Sequence, residues 1–124
     1  MAVVERNLND EPGKPVVICV DDDPHSLGTL RHALEGRCTV LLATNGEEAL
    51  AVLEAQPEVS AVLADLHMPG LAGAELLARI AQVNPHCRRV VVTGYPESDE
   101  LIAAINAGHL HYIITKPWKL GDLI

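Results

Sequence analysis

An α/β domain on a doubly wound, five-stranded parallel sheet is the fold class this sequence predicts, and three observations predict it. Short runs of Val, Ile and Leu alternate with longer stretches in which Leu and Ile recur at helical spacing. The short runs are apolar throughout, the pattern of strands covered by helices on both faces. Four of the five runs end in, or are followed at once by, a carboxylate, a hydroxyl or an ammonium. Open α/β sheets bind their ligands beyond the carboxyl ends of their strands.

The elements follow in order. Residues 1–14 are polar, close on Glu11-Pro12-Gly13-Lys14 and read as a flexible leader, so the folded domain is expected over 15–124. Val16 to Val20 is the first strand. Pro24 opens a helix with Leu27, Leu30 and Leu34 on one face, closed by Gly36. Val40 to Ala43 is the second strand, and Thr44 or Asn45 caps a helix on which Ala49, Leu50 and Leu53 recur. Val59 to Ala64 is the third strand. A Met68-Pro69-Gly70 loop leads into a helix carrying Leu76, Leu77 and Ile80. Arg89 to Thr93 is the fourth strand. Glu97 or Ser98 begins a helix with Leu101, Ile102 and Ile105 that stops near Gly108. Tyr112 to Thr115 is the fifth strand, and Trp118 begins a segment cut off at Ile124.

Composition narrows the function. A length of 124 residues suits one domain with a real core, and 48% hydrophobic with 21% charged residues excludes a disordered tail. With aromatics at 2% and no Phe, that core must be aliphatic. A net charge of -8 repels phosphate backbones, so this domain is not expected to bind nucleic acid itself. The apolar runs fall far short of the roughly 18 residues a bilayer span needs. No charged-then-apolar leader supports secretion, so no membrane partner is expected. Cys19, Cys38 and Cys87 are odd in number and form no CxxC, which argues against a zinc site or a disulfide framework and fits the cytoplasm.

The strand ends carry the chemistry. The first strand runs into Asp21-Asp22-Asp23, the third into Asp65, the fourth ends in Thr93 and the fifth meets Lys116. Carboxylates gathered at one edge repel one another, and a hard divalent cation removes that conflict. Mg²⁺ takes oxygen ligands, commonly one or two carboxylates with waters and phosphate oxygens. Asp21, Asp22 and Asp65 are offset by one such ion and Lys116, a balance that can accept a phosphoryl group. Asp65 stands alone before its Pro-Gly loop, and a carboxylate can attack phosphorus to give an acyl phosphate. Lys116 and the metal would stabilise the transferring oxygens, and Thr93 could hydrogen-bond one of them.

Together these residues resemble the receiver domain of bacterial two-component response regulators. Val20-Asp21-Asp22-Asp23-Pro24 resembles that family's acidic first-strand motif, and Ala64-Asp65-Leu66-His67-Met68-Pro69-Gly70 its phosphoacceptor loop. Val92-Thr93-Gly94 and Thr115-Lys116-Pro117-Trp118 resemble its switch-threonine and lysine-proline motifs. The set runs in family order from about Pro15 to the last residue. The resemblance implies a flavodoxin-like strand order of 2-1-3-4-5, with the last helix truncated. It implies that Asp65 is phosphorylated by a histidine kinase or phosphotransfer protein. It further implies Mg²⁺ bound by Asp22 directly, by Asp21 through water, by Asp65 and by the backbone carbonyl of His67, with Thr93 and Lys116 on the phosphoryl group. The implied partners are that kinase or phosphotransfer protein and an output domain, linked or separate. A second copy docking through the fourth helix and fifth strand is one further partner the family admits. In place of the family's usual aromatic three residues before the lysine stands Ile113, with Tyr112 one place earlier.

Blander readings stand beside these. Asp23 before Pro24 suits a helix N-terminus. Thr93 alone could be a turn hydroxyl, and Lys116 a solvated charge. His109 and His111 read as solvated or partner-facing, since no third ligand is evident, and His25 and His32 as surface residues. Two other classes compete. A phosphatase of the haloacid dehalogenase type would use Asp21-x-Asp23, Thr93 and Lys116, but leaves Asp65 unexplained and expects different residues after Asp23. A receiver-like binding module without phosphotransfer would normally have lost one of the acids or the lysine. The expectation is therefore a signalling switch and not an enzyme.

Overall fold

The computed structural model describes residues 14–56, 58–65, 73–94, 99–107 and 110–116. Strands and helices alternate as β1 (Val16–Val20), α1 (Pro24–Leu34), β2 (Thr39–Ala43), α2 (Gly46–Ala55), β3 (Val59–Ala64), α3 (Gly73–Val83), β4 (Arg88–Thr93), α4 (Asp99–Ala107) and β5 (Tyr112–Thr115). All four strand pairings are parallel, and the order is β2-β1-β3-β4-β5. The chain steps outward from β1 to β2 and then crosses back to β3. The crevice of this topology therefore opens at the carboxyl ends of β1 and β3.

Local chemistry accounts for the elements. Asp23 caps α1 by accepting the His25 N–H at 3.0 Å, and Pro24 supplies a first turn that has no use for its missing donor. After α1 the chain turns through Gly36 at φ +93°, a left-handed conformation open to glycine without penalty. Of the two candidate caps for α2, Asn45 takes the position. Its side chain accepts the Glu48 N–H at 2.9 Å while the Glu48 carboxylate accepts the Thr44 N–H at 2.7 Å.

The core is aliphatic and lies on both faces of the sheet. On one face, Leu27, Leu30 and Leu34 of α1 cover Val17, Cys19, Leu63, Val92 and Ile114. On the other, Val52 and Leu53 of α2 and Leu76 and Ile80 of α3 pack on Ile18, Val20, Leu41 and Val62. A smaller cluster of Leu77, Val91 and Leu101 ties α4 to β4. Cys19 and Cys87 are fully buried and act as small apolar residues. Burial pushes their thiols up to about 12 and about 11.

Element ends differ from the sequence expectation by a residue or two. α1 stops at Leu34, before Gly36. β2 starts one residue early because the Thr39 N–H reaches the Pro15 carbonyl at 2.9 Å. β4 starts at Arg88, which pairs with Ala61. The expected leader lies, apart from Lys14, outside the described residues, as do the expected truncated last helix, Trp118 and the starts proposed for α4 at Glu97 or Ser98.

Candidate functional site

The ladder itself sets two acids side by side. Val20 and Ala64 are partners in register and end their strands, and the residue after each is an aspartate. The Asp21 N–H bonds the Ala43 carbonyl at 3.1 Å, and the Asp65 N–H bonds the Val20 carbonyl at 3.0 Å. β5 brings the third group, its Lys116 N–H held by the Thr93 carbonyl at 2.8 Å. The Lys116 ammonium then lies 3.1 Å from Asp21 Oδ2 and 3.0 Å from Asp65 Oδ2. The second oxygen of Asp21, Oδ1, accepts the Asp23 N–H at 3.0 Å, which curves the chain away from the sheet.

Burial grades these residues. Thr93 is fully buried at the end of β4, and Asp21 is almost completely buried. The Asp65 side chain keeps 13% of its surface and Lys116 27%, so both can be reached from solvent. Asp22 is exposed. Asp23 stands apart, its carboxylate taken by the His25 N–H and, at 3.1 Å, by the Ser26 hydroxyl. That geometry serves α1 and gives no support to an Asp21-x-Asp23 pair acting together. His67 lies outside the described residues.

The electrostatics follow from this placement. Burial dominates at Asp21 and holds its carboxyl above the ordinary carboxylate range. The Asp23 amide and Lys116 pull the other way, and the Asp65 charge adds to the rise. Burial also presses Lys116 downward, but hydrogen bonds and charge from Asp65 and Asp21 outweigh it and hold the ammonium above its ordinary value. One ammonium shared by two acids leaves an excess of negative charge, increased further by Asp22. The donors are all carboxylate oxygens, the set that a hard divalent cation prefers. Among the described residues no three His, Cys, Asp or Glu side chains close into a metal cluster.

Away from this edge, Ile113 pairs with Val91 and Tyr112 with Val90, so the two side chains point to opposite faces. An open groove of about 370 Å³ is lined by Ile105 of α4 and by Leu110, His111, Tyr112 and Ile113. His111 is exposed, in keeping with its expectation as a solvated or partner-facing residue, and makes one further contact. Its Nδ1 accepts the Arg89 N–H at 2.9 Å, a contact between residues 22 apart that no local pattern announces. His109, read with it as solvated or partner-facing, lies outside the described residues.

Comparison with known proteins agrees with this geometry. The family model for the response regulator receiver domain matches residues 17–124. The hydrogenase transcriptional regulatory protein HoxA of Cupriavidus necator is 39% identical over 108 residues, covering 87% of this chain and 22% of that relative, so the chain spans about a fifth of its length. The signal receiver domain of an HD domain-containing protein from Pseudomonas fluorescens Pf-5 superposes with a TM-score of 0.83 at 31% identity, covering 94% of this chain and 86% of the other. A response regulator from Burkholderia pseudomallei, solved with a phosphorylated aspartic acid, a calcium ion and citrate, superposes at 0.77 with 28% identity, covering 89% of this chain and 64% of the other. A five-stranded parallel sheet with acids and a lysine at its carboxyl edge defines the class. The chain belongs to the response regulator receiver domain family of two-component signalling.

Proposed function

We propose that this domain is a phosphorylation-driven switch whose acceptor is Asp65. The observation that carries the reading is the Lys116 ammonium, 3.0 Å from Asp65 and 3.1 Å from Asp21, at the crevice of the sheet. A phosphohistidine on a sensor kinase or phosphotransfer protein is the donor. An Asp65 oxygen attacks phosphorus, the O–P bond forms as the N–P bond breaks, and the imidazole leaves and takes up a proton. Lys116 stays beside the incoming phosphoryl oxygens and Thr93 offers its hydroxyl. Mg²⁺, held by Asp21, Asp22, Asp65 and the His67 backbone carbonyl, would neutralise charge on the transferring group. The phosphoaspartate and calcium of the Burkholderia pseudomallei protein support the reading by likeness.

The domain turns over no small phosphoester. It shifts between two conformations, biased by the new phosphoryl contacts, and passes that shift to an output domain or partner. HoxA, which this chain resembles over part of its length, is a transcriptional regulator, so an output acting on transcription in the cytoplasm is the reading favoured. The face of α4 and β5, with its open groove, is the surface proposed for that output or for a second copy. No helix among the described residues is long and apolar enough to cross a membrane.

Labelling with acetyl phosphate tests the proposal. The wild-type protein takes up one phosphoryl group only when Mg²⁺ is present, and Asp65→Asn takes up none. Label on Asp65→Asn at the wild-type rate would overturn the assignment.

A further inference from the structure

β5 is one of the two edge strands of the sheet, four residues long and, among the described residues, paired with β4 only. What fastens the residue just before it, His111, therefore bears on whether the strand frays. In a parallel pair, the N–H and C=O of one residue point to the same neighbour and are normally met by two backbone groups of that neighbour. At Arg89 a single residue meets both. The His111 N–H donates to the Arg89 carbonyl at 2.8 Å, and the His111 imidazole Nδ1 accepts the Arg89 N–H at 2.9 Å. The side chain takes the place of a backbone carbonyl.

This arrangement requires an unprotonated Nδ1, with the ring proton on Nε2. An imidazolium carries a proton on both nitrogens and accepts nothing. We propose that His111 is a proton-sensitive clasp: its neutral ring locks the start of β5 onto β4, and protonation opens it. The surroundings set where it opens. The charged groups facing the ring are Arg89 and Arg88 on β4. From α4 the groove presents Ile105, and on its own strand the ring is followed by Tyr112. With partial burial as the leading cause and the two arginines adding to it, the ring is held below its ordinary value of 6.5. The sign follows. The clasp is intact above that value and is lost as pH falls through the lower value in the folded chain. The device lies at the opposite end of β5 from Lys116 and does not depend on the phosphoryl chemistry.

The test is amide hydrogen exchange at Arg89, expressed as protection relative to the unstructured chain, in wild type, His111→Asn and His111→Ala. Asn offers an oxygen acceptor near the Nδ1 position that does not titrate. Wild-type protection at Arg89 is expected to fall about tenfold between about pH 7.5 and about pH 5, the loss of one hydrogen bond at a sheet edge. His111→Asn shows no such fall, and His111→Ala is low at both values. The proposal is overturned if wild-type protection does not change with pH, or if His111→Asn changes as wild type does. The wild-type and Asn pair decides the matter even if His111→Ala does not fold.

Discussion

At the carboxyl edge of the sheet, Lys116 bonds carboxylates from residues 95 and 51 positions away. At the amino edge, charged side chains make bonds to nearby backbone, as when Arg89 Nη1 donates to the Cys87 carbonyl at 3.1 Å. The first edge gathers charge that its burial disfavours: Asp21 sits above the ordinary carboxylate range despite a lysine in contact. The second edge satisfies its polar groups both locally and across strands, as where His111 Nδ1 accepts the Arg89 N–H. Stability and function are therefore opposed at one edge and separable at the other. The site proposed to receive a cation and a phosphoryl group thus holds a buried acid at an electrostatic cost.

That contrast can be broken from either side. The largest effect belongs to Lys116→Ala. It leaves Asp21 and Asp65 adjacent with no countercharge, at a cost of about 2 kcal/mol, less than for a fully buried pair because Lys116 is partly exposed. Urea unfolding measures that loss, and labelling from acetyl phosphate should fall with it. An unchanged unfolding midpoint would show that the ammonium does not hold the two acids.

Asp21→Asn should do the reverse. Because the folded carboxyl is raised, its contribution to stability is fully present below the ordinary value of 3.8 and is lost as pH rises through the folded value. At neutral pH without divalent ions, removing that charge should raise stability by about 1 kcal/mol, while Mg²⁺ binding weakens. The gain should vanish when wild type and variant are compared near pH 3. A destabilised Asp21→Asn at neutral pH would place the strain elsewhere.

The smallest change sharpens the comparison from the amino edge. Gly36→Ala places a Cβ at φ +93° with nothing within 4 Å to clash, so the cost is conformational alone, about 1 kcal/mol. Thermal unfolding should report it, and the extent of Asp65 labelling should be unchanged. Altered labelling would mean that the two edges are coupled.

Much of the carboxyl edge was legible because strand ends are marked twice, by where an apolar run stops and by which polar residue follows. β3 and β5 have the bounds read from their Val59 to Ala64 and Tyr112 to Thr115 runs. Three consecutive aspartates did not reveal their division of labour. Asp21 is the last ladder position and is buried, Asp22 turns out to solvent, and Asp23 caps a helix. That division depends on Ala43 across the sheet, which no reading along the chain supplies. His111 was illegible for a related reason. Its partner is a backbone amide on another strand, and backbone amides leave no mark in a sequence.

Lys116 starts from an edge strand, yet its ammonium bonds the acids that follow β3 and β1, strands on the far side of β4. Its side chain is a tether that, together with the side chains of the two acids, links the ends of β5, β3 and β1. News of what happens to Asp65, at the middle of the sheet, thus needs no deformation of the strands between to reach the rim. With Asp65 converted to the proposed acyl phosphate, one of the two anchors on that tether changes its charge and shape. The segment at the other end of the tether is an edge strand, which among the described residues pairs on one side only and so has an open side on which to respond.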